Sequence, residues 1–221
     1  MYFVGGEPML MKEHWYILEQ LVEKKKFDVV LKYTTNASTL SYAGKNALDY
    51  WKHFNMVHIN VSLDGVGERL EYQRHGAKWD TIIANMKKIH EFKTLINVSS
   101  ALTAYSAFYY DEFVHWMNDN FTNVYLDINY CYGPQEYSPN ALPLELREKI
   151  VEKWSKLHDD FTSGRLPNIV QMQKLPTAIS NIMNFSSIRT EFTQEQLTHQ
   201  FISATQKYDQ MRNQNFRQRL S

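Results

Sequence analysis

Val57-His58-Ile59-Asn60-Val61-Ser62-Leu63-Asp64-Gly65 reads as a β-rich run that stops in a polar turn. A helical pattern follows it from Trp79 to Phe92, with Ile82, Ile83, Met86 and Ile89 as its apolar stripe. The same alternation extends both ways. Upstream, Met1 to Val4 reads as a strand that stops at two glycines, and Lys12 to Lys24 as a helix with Trp15, Leu18, Leu21 and Val22 on one face. Val29 to Thr34 is a second strand and Tyr42 to Phe54 a second helix. Downstream, Ile96 to Thr103 is a strand, Phe108 to Asn118 a helix and Val124 to Ile128 a fifth strand. Strands alternating with crossover-length helices predict parallel strands with right-handed connections. Five such strands make an incomplete barrel or an open doubly wound sheet, and the pattern leaves both open.

After Ile128 the rhythm changes. Pro134, Pro139 and Pro143 punctuate a loop, and Leu144 to Phe161 then reads as a long helix with Leu146, Ile150, Trp154 and Leu157 in register. Gly164 and Pro167 end it. The remainder is rich in Gln, Asn and Thr, with helical signals near Ile179 to Phe185 and Gln194 to Met211. It shows no second core, internal repeat or low-complexity tract.

Lys+Arg and Asp+Glu are both 24 over 221 residues, which argues against a general nucleic-acid or anionic-membrane binder. No apolar run reaches the roughly 18 residues of a membrane span, and the start lacks a signal peptide's layout. The expectation is a cytoplasmic protein. One cysteine, Cys131, excludes an internal disulfide and an all-cysteine metal site, and a free thiol suits a reducing compartment. The histidines lack zinc spacing, and neither a phosphate-binding loop nor a nucleophile elbow is present.

In parallel α/β folds ligands sit at the carboxyl ends of the strands. Those ends carry Gly5-Gly6-Glu7-Pro8, Thr34-Thr35-Asn36, Ser62-Leu63-Asp64-Gly65 and Asn129-Tyr130-Cys131. Each has an ordinary reading: a tight turn at the glycines, an Asx-turn or cap at Asn36, a plain turn at Asp64-Gly65, and a solvated surface residue at Arg74. Each also has a ligand reading. Carbonyls at Gly5-Gly6 and the Glu7 carboxylate suit an ammonium, Ser62 and Asp64 suit a carboxylate or ribose, and the planar fork of Arg74 suits an anion.

Taken in order, Phe3-Val4-Gly5-Gly6-Glu7-Pro8, Tyr33-Thr34-Thr35-Asn36, Val61-Ser62-Leu63-Asp64-Gly65, Arg74 and Gly76-Ala77-Lys78-Trp79-Asp80 resemble the radical S-adenosylmethionine (SAM) superfamily. They match its run from the second strand to the sixth. The tail Tyr208-Asp209-Gln210-Met211-Arg212-Asn213-Gln214-Asn215-Phe216 resembles the end of members with a twitch extension, which is related to the SPASM domain. The resemblance covers residues 1–130 well and the rest loosely. It implies an α/β fold: a parallel partial (β/α)6-type TIM-like barrel over 1–130, lacking its first βα unit, then a mainly helical twitch-like extension over 131–221.

The resemblance also implies roles. Gly5, Gly6 and Glu7 would hold the SAM amino group, with Pro8 stiffening the exit. Ser62 and Arg74 would hold its carboxylate, with Asp64 near by. Thr35 and Asn36 would line the pocket wall, while Ala101 to Thr103 and Asn129 approach the adenosine. Ala37 stands where members often carry glycine. The family's C-x-x-x-C-x-x-C loop, which ligates a [4Fe–4S] cluster, belongs upstream of Gly5-Gly6 and is not in this sequence; Cys131 cannot replace three thiolates. The expectation is an N-terminally truncated radical SAM enzyme. It would bind SAM for reductive cleavage to a 5′-deoxyadenosyl radical and act on a peptide or protein. Its missing part is lost or supplied by another chain, and the isolated chain is expected to aggregate or to need a partner along the edge strand Met1–Val4. The alternative is a catalytically inactive barrel remnant serving as a binding or scaffold protein.

Overall fold

Six strands form one parallel sheet: β1 (Tyr2–Phe3), β2 (Leu31–Thr35), β5 (Val57–Ser62), β6 (Ile96–Leu102), β7 (Val124–Tyr130) and β8 (Ile169–Gln171). The computed structural model describes residues 1–93, 95–188 and 190–216, so 217–221 of the expected extension lie outside the described residues. The strands neighbour one another in chain order, and each pairs in parallel with the next. A doubly wound sheet reverses its strand order at a switch point. Here the order never reverses, and with right-handed crossovers every connecting helix falls on the same face. That is the winding of a partial barrel, and it resolves the two architectures that the strand and helix pattern left open.

The helices are α1 (Lys12–Glu23), α2 (Ala47–Trp51), α3 (Glu68–Gln73), α4 (Trp79–Lys93), α5 (Tyr110–Asn120), α6 (Leu144–Thr162), α7 (Leu175–Met183) and α8 (Gln194–Arg212). They bury one face of the sheet. Leu31 and Tyr33, Val57, Ile59 and Val61, Ile96 and Val98, and Val124, Leu126 and Ile128 join Trp15, Trp51 and Trp154 in one continuous apolar cluster. The buried indoles of Trp15 and Trp154 donate to the carbonyls of Met9 at 2.9 Å and Ala107 at 3.0 Å, which satisfies their polar ends. The opposite face carries Lys32, Thr34, His58, Asn60, Ser62, Asn97, Ser99, Asp127 and Asn129, all partly or fully exposed.

Two sequence expectations change. The expected helix from Tyr42 to Phe54 shrinks to α2, because a small hairpin of β3 (Ser41–Tyr42) and β4 (Lys45–Asn46) precedes it. Its two-residue turn places Ala43 at φ 49° and Gly44 at φ 81°, the left-handed pair that tight hairpins need. Asn46 then caps α2 by accepting from Leu48 N at 3.0 Å. The segment after residue 130 is mainly helical, yet it also returns β8 to the sheet. Ile169 pairs with Val124, and Val124 N donates to Asn168 O at 2.8 Å. Three residues flanked by a proline turn carry too little pattern to read as a strand.

The C-terminal region is locked to the barrel by buried polar contacts. Asn140 receives Tyr130 Oη at 2.7 Å and donates to the carbonyls of Asn181 at 2.9 Å and Ile182 at 3.1 Å. Buried Arg147 donates to Leu142 O at 3.1 Å and Ile182 O at 2.9 Å. Asn140 Nδ2 and Arg147 Nη1 thus serve the last carbonyls of α7, which have no partner within the helix.

Candidate functional site

The rim at the carboxyl ends of β1, β2, β5, β6 and β7 is the candidate site. Gly5 (φ 84°) and Gly6 (φ 57°) turn the chain off β1 in left-handed geometry, and a Cβ on either would meet nothing within 4 Å. The turn is an open backbone cradle rather than a packed one. Glu7 faces inward. Its carboxylate accepts Thr35 Oγ1 at 2.7 Å and Asn36 N at 2.8 Å, and it caps the short turn Pro8–Leu10 through Met9 N at 3.4 Å. Thus Glu7 ties the glycine turn to the end of β2, and Pro8 and Thr35 are buried beneath it. Asn36 accepts from Ser38 N at 2.8 Å. Ala37 takes φ 55° in the turn that follows, and its carbonyl is held by Asn85 Nδ2 at 2.8 Å.

On the neighbouring strand, Asp64 is buried and bridges two elements. Its Oδ1 accepts Ala101 N at 2.7 Å and its Oδ2 accepts Arg74 Nε at 2.7 Å. Arg74, which caps the end of α3, therefore spends one nitrogen on Asp64, and its two terminal nitrogens have no partner among the described residues. The Ser62 hydroxyl is likewise unpartnered on the uncovered sheet face. Ser100, one pleat away on the buried face, donates to Leu63 O at 2.8 Å and fixes the end of β5.

Beyond Asp64 a cavity of about 310 Å³ opens at the ends of β5, β6 and β7. It is lined by Asp64, Tyr72, Gln73, Thr103, Tyr105, Cys131, Pro134, Tyr137, Tyr208 and Arg212. Tyrosine rings line its wall, Tyr72 against Tyr105 at 5.7 Å and Tyr105 against Tyr137 at 5.9 Å between centroids. Helix α8 closes it, with Arg212 over the Tyr208 ring and donating to Tyr72 O at 3.2 Å. The buried Tyr72 hydroxyl has no partner at hydrogen-bond geometry among the described residues, and its neighbour is the Asp209 carboxylate; burial first, and that carboxylate second, hold it neutral far above the usual phenol range. Burial also pushes the Cys131 thiol up.

The structure brings Gly5–Pro8, Thr35–Asn36, Ser62, Asp64 and Arg74 to one rim. Tyr72, Tyr105 and Tyr137 were not singled out from the sequence, and Tyr208 and Arg212 only as part of the tail, because these residues come from α3, a loop and α8, far apart in the chain. The amides Asn60 and Asn97, unpartnered among the described residues, were missed too, although the strictly alternating Val-His-Ile-Asn-Val-Ser of β5 was a signal for Asn60. Among the described residues no group of three His, Cys, Asp or Glu side chains is placed to hold a metal ion.

A family model described as Radical SAM superfamily matches residues 1–117. A solved structure of native anSMEcpe with bound AdoMet and Cp18Cys peptide shares 17% identity, covering 74% of this chain and 47% of that one, with a TM-score of 0.51. Native anSMEcpe with bound AdoMet aligns at 18% identity over 78% of this chain and 49% of that one, with a TM-score of 0.53. SuiB of Streptococcus suis bound to S-adenosylmethionine aligns at 18% identity over 87% and 42%, with a TM-score of 0.51. The chain thus spans under half the length of these proteins. No curated protein matches it.

Proposed function

Because this chain belongs to the radical SAM superfamily, we propose that its rim binds SAM for a reductive cleavage that modifies a peptide or protein. The observation that carries the reading is the pairing of Asp64 with Arg74 on the same rim as the open Gly5-Gly6 turn. The residues present fit the ligand. The glycine turn offers backbone carbonyls to an ammonium, and no side chain blocks the approach. The Glu7 carboxylate is already engaged by Thr35 and Asn36, so its part is to hold that turn in place. Ser62 and the two free nitrogens of Arg74 suit the ligand's carboxylate, with Asp64 fixing the guanidinium plane. Thr35 and Asn36 form the wall beside the turn. The strand ends from Ala101 to Thr103 and at Asn129, with the tyrosine-lined cavity, suit an adenosine, and the orphaned Tyr72 hydroxyl offers it a hydrogen-bonding partner.

A [4Fe–4S] cluster supplies the electron for SAM cleavage when bound. A single cysteine does not fit such a cluster. The reading therefore includes a second chain or segment that brings the cluster motif. The free edge of β1 supports that partner: Met1, Tyr2 and Val4 are 51–59% exposed along its unpaired backbone. The peptide substrate rests on the two fold neighbours whose structures hold SAM, one of them also a peptide. The reading includes a twitch-like extension after residue 130 and a cytoplasmic location, which a free thiol suits; no described helix is long and apolar enough to cross a membrane.

Titration calorimetry with SAM tests the site. Binding by the wild type that is weakened by Ser62→Ala and by Arg74→Ala supports it; equal heats from all three overturn it. The second reading, a non-catalytic SAM-binding scaffold, is favoured by the lone cysteine. It is separated by reconstitution with a cysteine-bearing partner: 5′-deoxyadenosine from SAM and dithionite supports the enzyme, and its absence supports the scaffold.

A further inference from the structure

The helix-free face of the sheet carries polar side chains in register, and the site described above uses only their upper row. Lys32 and His58 are Cα partners and both exposed. One pleat higher, Thr34, Asn60, Asn97 and Tyr125 form a row across four strands. One pleat higher again, Ser62, Ser99 and Asp127 reach the rim. Lys32, His58, Asn60 and Asn97 have no side-chain partner among the described residues, whereas Asp127 is neutralised by Lys174 at 2.6 Å. A sheet face that is half sheltered and lined by unpartnered amides gains from a ligand that supplies both donors and acceptors.

We infer that this face seats an extended acidic peptide segment. Asn60 and Asn97 hydrogen-bond its backbone, and Lys32 with His58 takes a carboxylate side chain at the lower end. The inference rests on the peptide-substrate reading above and specifies which peptides that site accepts. Three observations select this occupant. The two amides are neutral and lie side by side, and each matches a peptide group with one acceptor and one donor face. The unpaired positive charge of the face sits at one end only, on Lys32, which is complementary to a carboxylate and too sparse for a polyanion. The face is also continuous with the rim through Ser62, so a peptide lying on it leads to the proposed SAM site.

The spacing makes the inference specific. Rows two residues apart on a strand lie about 6.6 Å apart, and alternate side chains of an extended peptide repeat at the same interval. The Lys32 row and the Ser62 row are two such steps apart. The acidic residue is therefore placed four positions from the residue at the rim.

The test uses the full chain and an immobilised random decapeptide library as probe. Binders enriched in Asp or Glu are expected. The best one, resynthesised with a fluorophore, should weaken at least tenfold on Lys32→Glu and on the double change Asn60→Ser with Asn97→Ser. Ester-for-amide replacement in the peptide should weaken binding to the wild type but not to the double variant. Thermal melts confirm that the variants fold; Lys32→Glu, at an exposed position, serves as the test if the double variant does not. If peptides bind but without acidic enrichment and equally well to both variants, this inference fails and the peptide reading stands. If no peptide binds the wild type, the peptide reading itself fails.

Discussion

Asp64 grips Arg74 through a single nitrogen, Nε at 2.7 Å, while its other oxygen receives Ala101 N at 2.7 Å. The guanidinium is thus fixed in orientation by a carboxylate that is itself fixed to β6, and the terminal nitrogens point their donors elsewhere. Arg74→Ala should weaken SAM binding by roughly 10- to 100-fold, the worth of a lost charge-assisted hydrogen bond. Arg74→Lys should recover little, because an ammonium cannot hold Asp64 and a ligand carboxylate in one plane. Calorimetry with SAM on the three proteins decides this, and undiminished binding by Arg74→Ala contradicts it.

Glu7 acts first on the fold. Glu7→Ala leaves the Thr35 hydroxyl and Asn36 N without their acceptor in a buried place, at a cost of about 1–3 kcal/mol. For a chain of this size each kcal/mol lowers Tm by about 2–4 °C. Differential scanning calorimetry should show that loss without any ligand present.

His14 makes stability depend on pH. It is buried between Phe3, Trp15 and Tyr33, with Nε2 3.1 Å from Tyr33 Oη and Nδ1 unpartnered, and burial lowers its pKa to about 4. The unfolded chain binds a proton at His14 near the usual value of about 6.5, so below that pH unfolding takes up a proton that the folded state refuses. The stabilisation is complete above about pH 6.5 and is lost as pH falls toward 4, by about 3 kcal/mol in all. Denaturant titrations at pH 7, 5.5 and 4.5 should show this slope, and His14→Phe should flatten it.

Arg147 and Asn140 look alike and should behave differently. Both acceptors of Arg147 keep a second donor: Leu142 O has Gln194 Nε2 at 2.9 Å, and Ile182 O has Asn140 Nδ2 at 3.1 Å. Arg147→Met should therefore cost little, about 1 kcal/mol or less, since it also removes a buried cation. Asn140→Ala removes the acceptor of both Tyr130 Oη at 2.7 Å and Ser138 Oγ at 3.1 Å and should cost about 2 kcal/mol or more. Urea melts of the two variants give the comparison.

The long elements were legible in the sequence because their periodicity is strong. Val57 to Ser62 and Trp79 to Phe92 have nearly the observed bounds, and the apolar stripe of α6 at Ile150, Trp154 and Leu157 is the stripe that is buried. The hairpin at Ala43-Gly44 was hidden because its two strands, Ser41–Tyr42 and Lys45–Asn46, are each too short to show a period. Strand β8 was hidden because tertiary pairing, and not local pattern, makes it a strand. The rim residues could be named because each ends a strand. Their relations could not: that Glu7 looks inward to Thr35, and that Asp64 rather than a ligand takes Arg74 Nε, depend on distances no spacing encodes.

Strand β8 also bears on how the protein is made. It reaches β7 only after α6 has been laid across the helix face, so during synthesis from the N-terminus the apolar run Val124, Leu126 and Ile128 emerges with one backbone edge unsatisfied. That edge stays open until residue 171 has left the ribosome. The interval is hazardous, because an unpaired hydrophobic strand is a template for association with other nascent chains. Ile169 and Gln171 then cover the start of that edge, at Val124 and Tyr125.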